Sequence, residues 1–116
     1  MNTPQPLLSA LGSTLGVRGA GAFDGMGEIL SSQTAEQAAN PFTPALAARL
    51  ALIAEAFESH GEACEELQAI HENSRLLVRF GTDRHLAILG TAESSFDNLR
   101  IVAKLLERRG FGTAKP

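Results

Sequence analysis

Four glycines, Gly19, Gly21, Gly25 and Gly27, fall within nine residues, a density that invites comparison with phosphate-binding loops. The spacing is neither G-x-G-x-x-G nor that of a P-loop, because no Gly-Lys-Ser/Thr follows. Nor does a long helix follow whose N-terminus would hold a phosphate. The run reads as the glycines of a β-hairpin, where the turn needs unusual backbone angles. His60, Cys64 and His71, with His85 as a fourth donor, could be written as a metal cluster. Their spacings fit neither a zinc finger nor a ribbon, and no Cys-x-x-Cys or His-Glu-x-x-His supports them. They read as surface histidines and one small apolar cysteine. Cys64 with His71 or His85 would make a nucleophile only with a lowered thiol pKa and a third, orienting group. Nothing local signals either. Glu62, Glu65 and Glu66 form an acidic cluster that reads as a solvated face. Together with Glu55 and Glu58 it could meet a basic partner, where it would act on encounter rate more than on affinity. No catalytic residue, metal ligand or cofactor site emerges, and the chain is expected not to be an enzyme.

The elements that carry these residues must come from a chain of 116 residues, enough for one core. Hydrophobic residues make up 44% and charged residues 20%, an ordinary globular composition. A net charge of −3, scattered cations and no Trp or Tyr argue against a nucleic-acid groove. No apolar run approaches the ~20 residues that span a membrane. Met1 to Pro6 carries no Lys or Arg ahead of its weak apolar stretch, so neither a secretory signal nor a transit peptide is expected, and the protein reads as cytoplasmic. A lone cysteine excludes an internal disulfide.

Residues 1–6 read as a flexible end, 7–109 as one domain and 110–116 as a flexible tail. Leu7, Leu8, Leu11 and Leu15 recur at helical spacing and predict a short first helix. Val17 to Phe23 reads as a strand, Asp24 to Gly27 as a turn, and Glu28 to Ser32 as the return strand. Residues 33–41 form a polar connector. Thr43-Pro44 predicts a helix start, with Thr as N-cap and Pro at the first position. That helix should run to Ser59 and stop at Gly61. Glu66 to Ile70, Arg75 to Phe80 and His85 to Gly90 read as three strands of an antiparallel meander. A last helix begins near Ser94 or Ser95, with Ser94 and Asp97 resembling a capping box. Leu99, Val102, Ala103 and Leu106 form its core stripe, and Gly110 ends it.

The helix from Pro44 to Ser59 is the most informative segment. Leu46, Leu50, Ile53 and Phe57 supply one apolar stripe, enough to bind a sheet. Ala45, Ala48, Leu52 and Ala56 supply a second, and only Arg49, Glu55 and Glu58 are charged. A helix that is apolar nearly all round is normally covered all round. One small domain can rarely do that alone, so the second row predicts a dimer contact.

Leu15-Gly16-Val17-Arg18-Gly19-Ala20 followed by Phe23-Asp24-Gly25-Met26-Gly27-Glu28-Ile29-Leu30 resembles the signature of the roadblock/dynein light chain family. Asp24 and Gly27 match its structural turn. The segments Arg75 to Phe80 and His85 to Gly90 resemble the family's meander, and Phe96 to Arg109 its closing helix. The resemblance spans residues 7–109. It implies an α/β domain of α+β type, with a roadblock/profilin-like layout. A five-stranded antiparallel sheet would be flanked by one long helix and two terminal helices. It also implies a homodimer or heterodimer formed by the long helix and the strand after it, which adds Glu66, Gln68 and Ile70 to the interface. Bacterial MglB-like members of the family regulate Ras-like small GTPases and other members are scaffolds. The expected function is therefore that of a non-catalytic dimeric regulator or scaffold of such a GTPase, with no nucleic acid, cofactor or membrane insertion. The alternative is a small-molecule sensor or adaptor holding a ligand between sheet and helix.

Overall fold

The computed structural model describes residues 16–34, 42–62, 65–81 and 84–111. Its elements are β1 (Val17–Phe23), β2 (Ile29–Thr34), α1 (Pro44–Ser59), β3 (Glu66–His71), β4 (Ser74–Phe80), β5 (His85–Thr91) and α2 (Phe96–Arg108). The five strands form one antiparallel sheet in the order β2-β1-β5-β4-β3. The expected sheet is therefore present, and two of the three expected helices are described. The predicted first helix, Leu7 to Leu15, lies outside the described residues, as do Cys64 and residues 35–41.

Among the described residues each face of the sheet carries one helix, and strand alternation sorts the core into two layers. Ala20, Ala22, Leu77, Leu86 and Ile88 pack against Leu99, Val102, Ala103 and Leu106 of α2. Phe23, Val78 and Ala87 pack against Phe42, which precedes α1, and against Ala47 and Leu50 of α1. Strand β5 lies between β1 and β4, and Leu86, Ala87 and Ile88 are all buried. That explains why its sequence runs apolar without alternating.

Local chemistry fixes the joints. Asp24 Oδ1 accepts from the N–H groups of Met26 and Glu28, both at 2.9 Å, and Gly27 closes the turn at φ +87°. Thr43 caps α1 by accepting from the Leu46 N–H at 3.2 Å. At the other end Gly61 (φ +77°) donates to the Glu58 carbonyl and Glu62 to that of Phe57, the paired bonds of a Schellman stop.

Three local expectations change. Strand β2 extends to Thr34, two residues into the stretch read as a connector. Ser95, not Ser94, caps α2, accepting from the Asn98 N–H at 3.1 Å. Ser94 instead donates its hydroxyl to the Thr91 carbonyl at 2.7 Å, which closes the turn out of β5. Phe111 falls in the expected flexible tail, yet it is only 4% exposed. Gly110 (φ +76°) turns the chain, the Phe111 N–H bonds the Leu106 carbonyl at 3.0 Å, and its ring enters the α2-side core.

Candidate partner-binding surface

The two apolar rows of α1 meet different fates. The sheet buries Ala47 and Leu50 and half-buries Leu46 and Ile53. At 100° per residue, Leu52 lies about 160° around the helix from Leu50, so it points almost directly away from the sheet. Leu52 is 62% exposed, and Ala45, Ala48 and Ala56 beside it are exposed too. Spacing alone assigns Ala47 to neither row. Its place on the inner face shows that α1 is turned by roughly half a residue from the expected stripe, which leaves Phe57 40% exposed.

The hairpin tip borders this outer face. A Cβ at Gly27 would lie 2.8 Å from Ala48 Cα, so the turn sits directly on the helix backbone. Met26, next to it, is 86% exposed. The exposed charges of this layer are acidic at Glu55, Glu58, Glu62 and Glu65, with Arg49 the cation on α1.

The second group of expected interface residues lies on edge strand β3. The Phe80 N–H donates to the Glu65 carbonyl, and β3 pairs with β4 without a register shift. Antiparallel alternation then turns the backbones of Leu67, Ala69 and His71 toward β4. The backbone N–H groups of Glu66, Gln68 and Ile70 point to the open edge. Their side chains lie on the α2 face: Gln68 is opposite Leu77 in the ladder, and Glu66 bonds Arg100 of α2. Ile70 is 71% exposed. The structure thus does not merge the two groups into one side-chain patch. Ala45, Ala48, Leu52 and Ala56 face outward from one layer, while Glu66, Gln68 and Ile70 share an edge and the opposite face.

Glu66 is the best-connected polar residue of this edge. Its carboxylate accepts from Arg100 Nε at 2.9 Å and Nη2 at 2.7 Å, and from Gln68 Nε2 at 2.8 Å. Arg79 stands 3.7 Å away and also bonds Glu107 of α2 at 3.2 Å. The Arg100 guanidinium holds the Glu66 carboxyl down at about 2, against the opposing effect of burial. Arg100 is in turn held above its ordinary value by Glu66 and Asp97. No spacing rule could have joined residues 66 and 100; only the fold brings them together.

Of the residues considered for metal or nucleophilic chemistry, Cys64 lies outside the described residues and the three histidines do not share one environment. His60 and His71 are exposed, and His85 is buried between Phe23 and Phe80, with ring centroids 5.2 and 5.1 Å away. The Gly81 N–H donates to His85 Nδ1 at 3.1 Å, which puts the neutral ring's proton on Nε2. Burial lowers the His85 pKa, and Glu58 and Asp24 oppose that shift. Among the described residues, no three His, Cys, Asp or Glu side chains converge as a metal site. An apolar hollow of about 10 Å³, scarcely the room of one water molecule, lies between β1 and α1, lined by Gly21, Phe23, Ile29, Phe42, Leu46 and Leu50. Ligand pockets usually occupy roughly 300–1,000 Å³ and present several convergent polar groups. This hollow is smaller and nearly all apolar, so it lends the ligand-sensor alternative little support. No described helix is long and apolar enough to cross a membrane.

No protein-family model matches the sequence, and no curated protein matches it. Solved structures do match the fold. The gliding protein MglB from Thermus thermophilus superposes with a TM-score of 0.69 at 21% identity, over 90% of this chain and 86% of that one. Myxococcus xanthus MglB gives 0.70 at 18% identity, over 90% and 88%. A Roadblock/LC7 domain from Streptomyces avermitilis gives 0.56 at 16% identity, over 90% and 95%. The fold is therefore that of the roadblock/LC7 domain, as the short motifs around Asp24 and Gly27 imply. At these identities the likeness is one of architecture.

Proposed function

We propose that the chain is a non-catalytic, dimeric regulator or scaffold of a Ras-like small GTPase. The observation that carries this reading is the apolar row Ala45, Ala48, Leu52 and Ala56, which faces away from the sheet and is exposed among the described residues. Exposed apolar surface in a row, rimmed by charge, is the mark of a protein contact. The β3 edge, at Glu66, Gln68 and Ile70, supplies a second contact, where outward N–H groups such as those of Gln68 and Ile70 can extend the sheet into a second copy. Because the α1 row points away from the sheet, pairing along β3 leaves it free for the GTPase. The roadblock fold, shared with MglB, favours a small GTPase as that partner. Fold alone does not decide it. The acidic rim at Glu55 and Glu58 suits a partner with a basic surface.

Two substitutions separate the contacts. Gln68→Pro removes an outward N–H without touching the ladder to β4. It is expected to turn a sedimenting dimer into a monomer. Leu52→Glu is expected to keep the dimer. It should abolish binding to a Ras-like GTPase from the same organism, along with any effect on single-turnover GTP hydrolysis. A wild-type chain that neither binds that GTPase nor changes its hydrolysis rate removes the GTPase reading. A Leu52→Glu variant that sediments as a monomer moves the dimer contact to α1.

A further inference from the structure

Helix α2 holds the sheet by apolar contact over β5 and β4, through Leu99, Val102, Ala103 and Leu106 on Leu77, Leu86 and Ile88. It has no such hold on β3. The side chains that β3 turns toward α2 are Glu66, Gln68 and Ile70, and none belongs to that core. On the other face only Leu67 packs against the α1-side core, while Ala69 and His71 are exposed there, and Gln68 and Ile70 are exposed on the α2 side. What joins α2 to the edge strand is charge. Arg100 grips Glu66 with two parallel N–H···O bonds, and Glu107 steadies Arg79, which is paired with Glu66 in the ladder. Both side chains of the central pair are less than a third exposed, so water and salt screen it less than an open surface pair. A bidentate guanidinium–carboxylate pair also fixes orientation, which a lysine cannot do.

We infer that Glu66 and Arg100 form a strap by which α2 positions the edge strand β3 for pairing with a second copy. This rests on the reading of β3 as the pairing edge. They are positioning residues: with the strap closed, the six-pair β3–β4 ladder stays in register and keeps the outward N–H groups in line. With it open, β3 is held only by its ladder to β4, by Leu67 and by a two-residue turn, and it frays from the sheet more readily.

Hydrogen exchange on Glu66→Gln, Arg100→Met and the double variant tests the strap. The amides of Leu67, Ala69 and His71, which face β4, are expected to exchange about tenfold faster or more in each single variant, as local opening becomes easier. Amides of β1 and β5 should keep their wild-type rates. The double variant should be no worse than the worse single one, because the two residues act as one unit. Arg100→Lys keeps the charge and loses the fork, and should fall between wild type and Arg100→Met. Unchanged β3 exchange in both single variants overturns the strap, as do additive effects or acceleration spread over the whole sheet. The dimer dissociation constant should rise with β3 exchange across the series. A wild-type chain that stays monomeric removes β3 pairing, while the exchange pattern still decides whether α2 holds the strand.

Discussion

Gly27 lies so close against Ala48 that a side-chain carbon on the glycine would fall 2.8 Å from the Ala48 Cα. The glycine also sits at φ +87°, a region that L side chains rarely adopt. Gly27→Ala therefore meets two penalties, one for the backbone angle and one for pushing the hairpin off the helix. Together they should cost roughly 2–4 kcal/mol. Thermal unfolding should show a Tm lower by about 10 °C or more. Gly25→Ala, where the added carbon meets nothing within 4 Å, is the control and should change little.

Phe111 should behave as a core residue although it follows the last helix. It closes the Schellman turn and packs with Leu106 and Val102. Phe111→Ala should destabilise by about 3–4 kcal/mol. Urea unfolding reads this as a lower midpoint with an unchanged slope. A truncation after Gly110 should do at least as much harm, whereas an unaltered midpoint would return Phe111 to a peripheral tail.

His85 gives the domain a dependence on mild acid. Its folded pKa lies below the ordinary 6.5, chiefly because burial disfavours the charged ring. As pH falls through 6.5, the unfolded chain takes up the proton first, so stability is full above 6.5 and declines as pH drops toward the folded value. Glu66 is depressed to about 2, so its contribution persists until pH falls below its unfolded value of 4.5. Between pH 7.5 and 5.5 the loss therefore belongs to His85. His85→Phe should lower Tm at pH 7.5 by removing the acceptor for Gly81, yet flatten the change between the two pH values. An equally steep change in that variant would assign the effect elsewhere.

Much of this fold is legible in the sequence where one signal is local and strong. Thr43-Pro44 and Gly61 bracket α1, and Asp24 with Gly27 marks the hairpin, because each of these residues answers a need of its own backbone. The α2 stripe is legible because its four core positions alternate with charges. The seating of α1 is not, since alanine suits an inner or an outer face equally and the rotation shows only in the packing of Ala47 and Leu50 on the sheet and in the close approach at Gly27. Ser94 and Ser95 both fit a cap by type, and the turn out of β5 claims the first. The Glu66–Arg100 pair joins positions 34 apart, a relation that exists only once β3 and α2 stand side by side.

The two rims of the sheet are unequal. At the β2 rim Leu30 is an extra residue, since Ala22 pairs with Ser31 and Phe23 with Ile29, and the bulge bends the strand. At the β3 rim six pairs run without a fault. A sheet with two straight rims can add copies at both ends and grow into a fibre. On the proposed pairing, a copy joining antiparallel along β3 would use the straight rim of both molecules and leave the kinked one facing outward at each end. Among the described residues the sheet then offers no second straight rim, and strand addition by this route would stop at two copies.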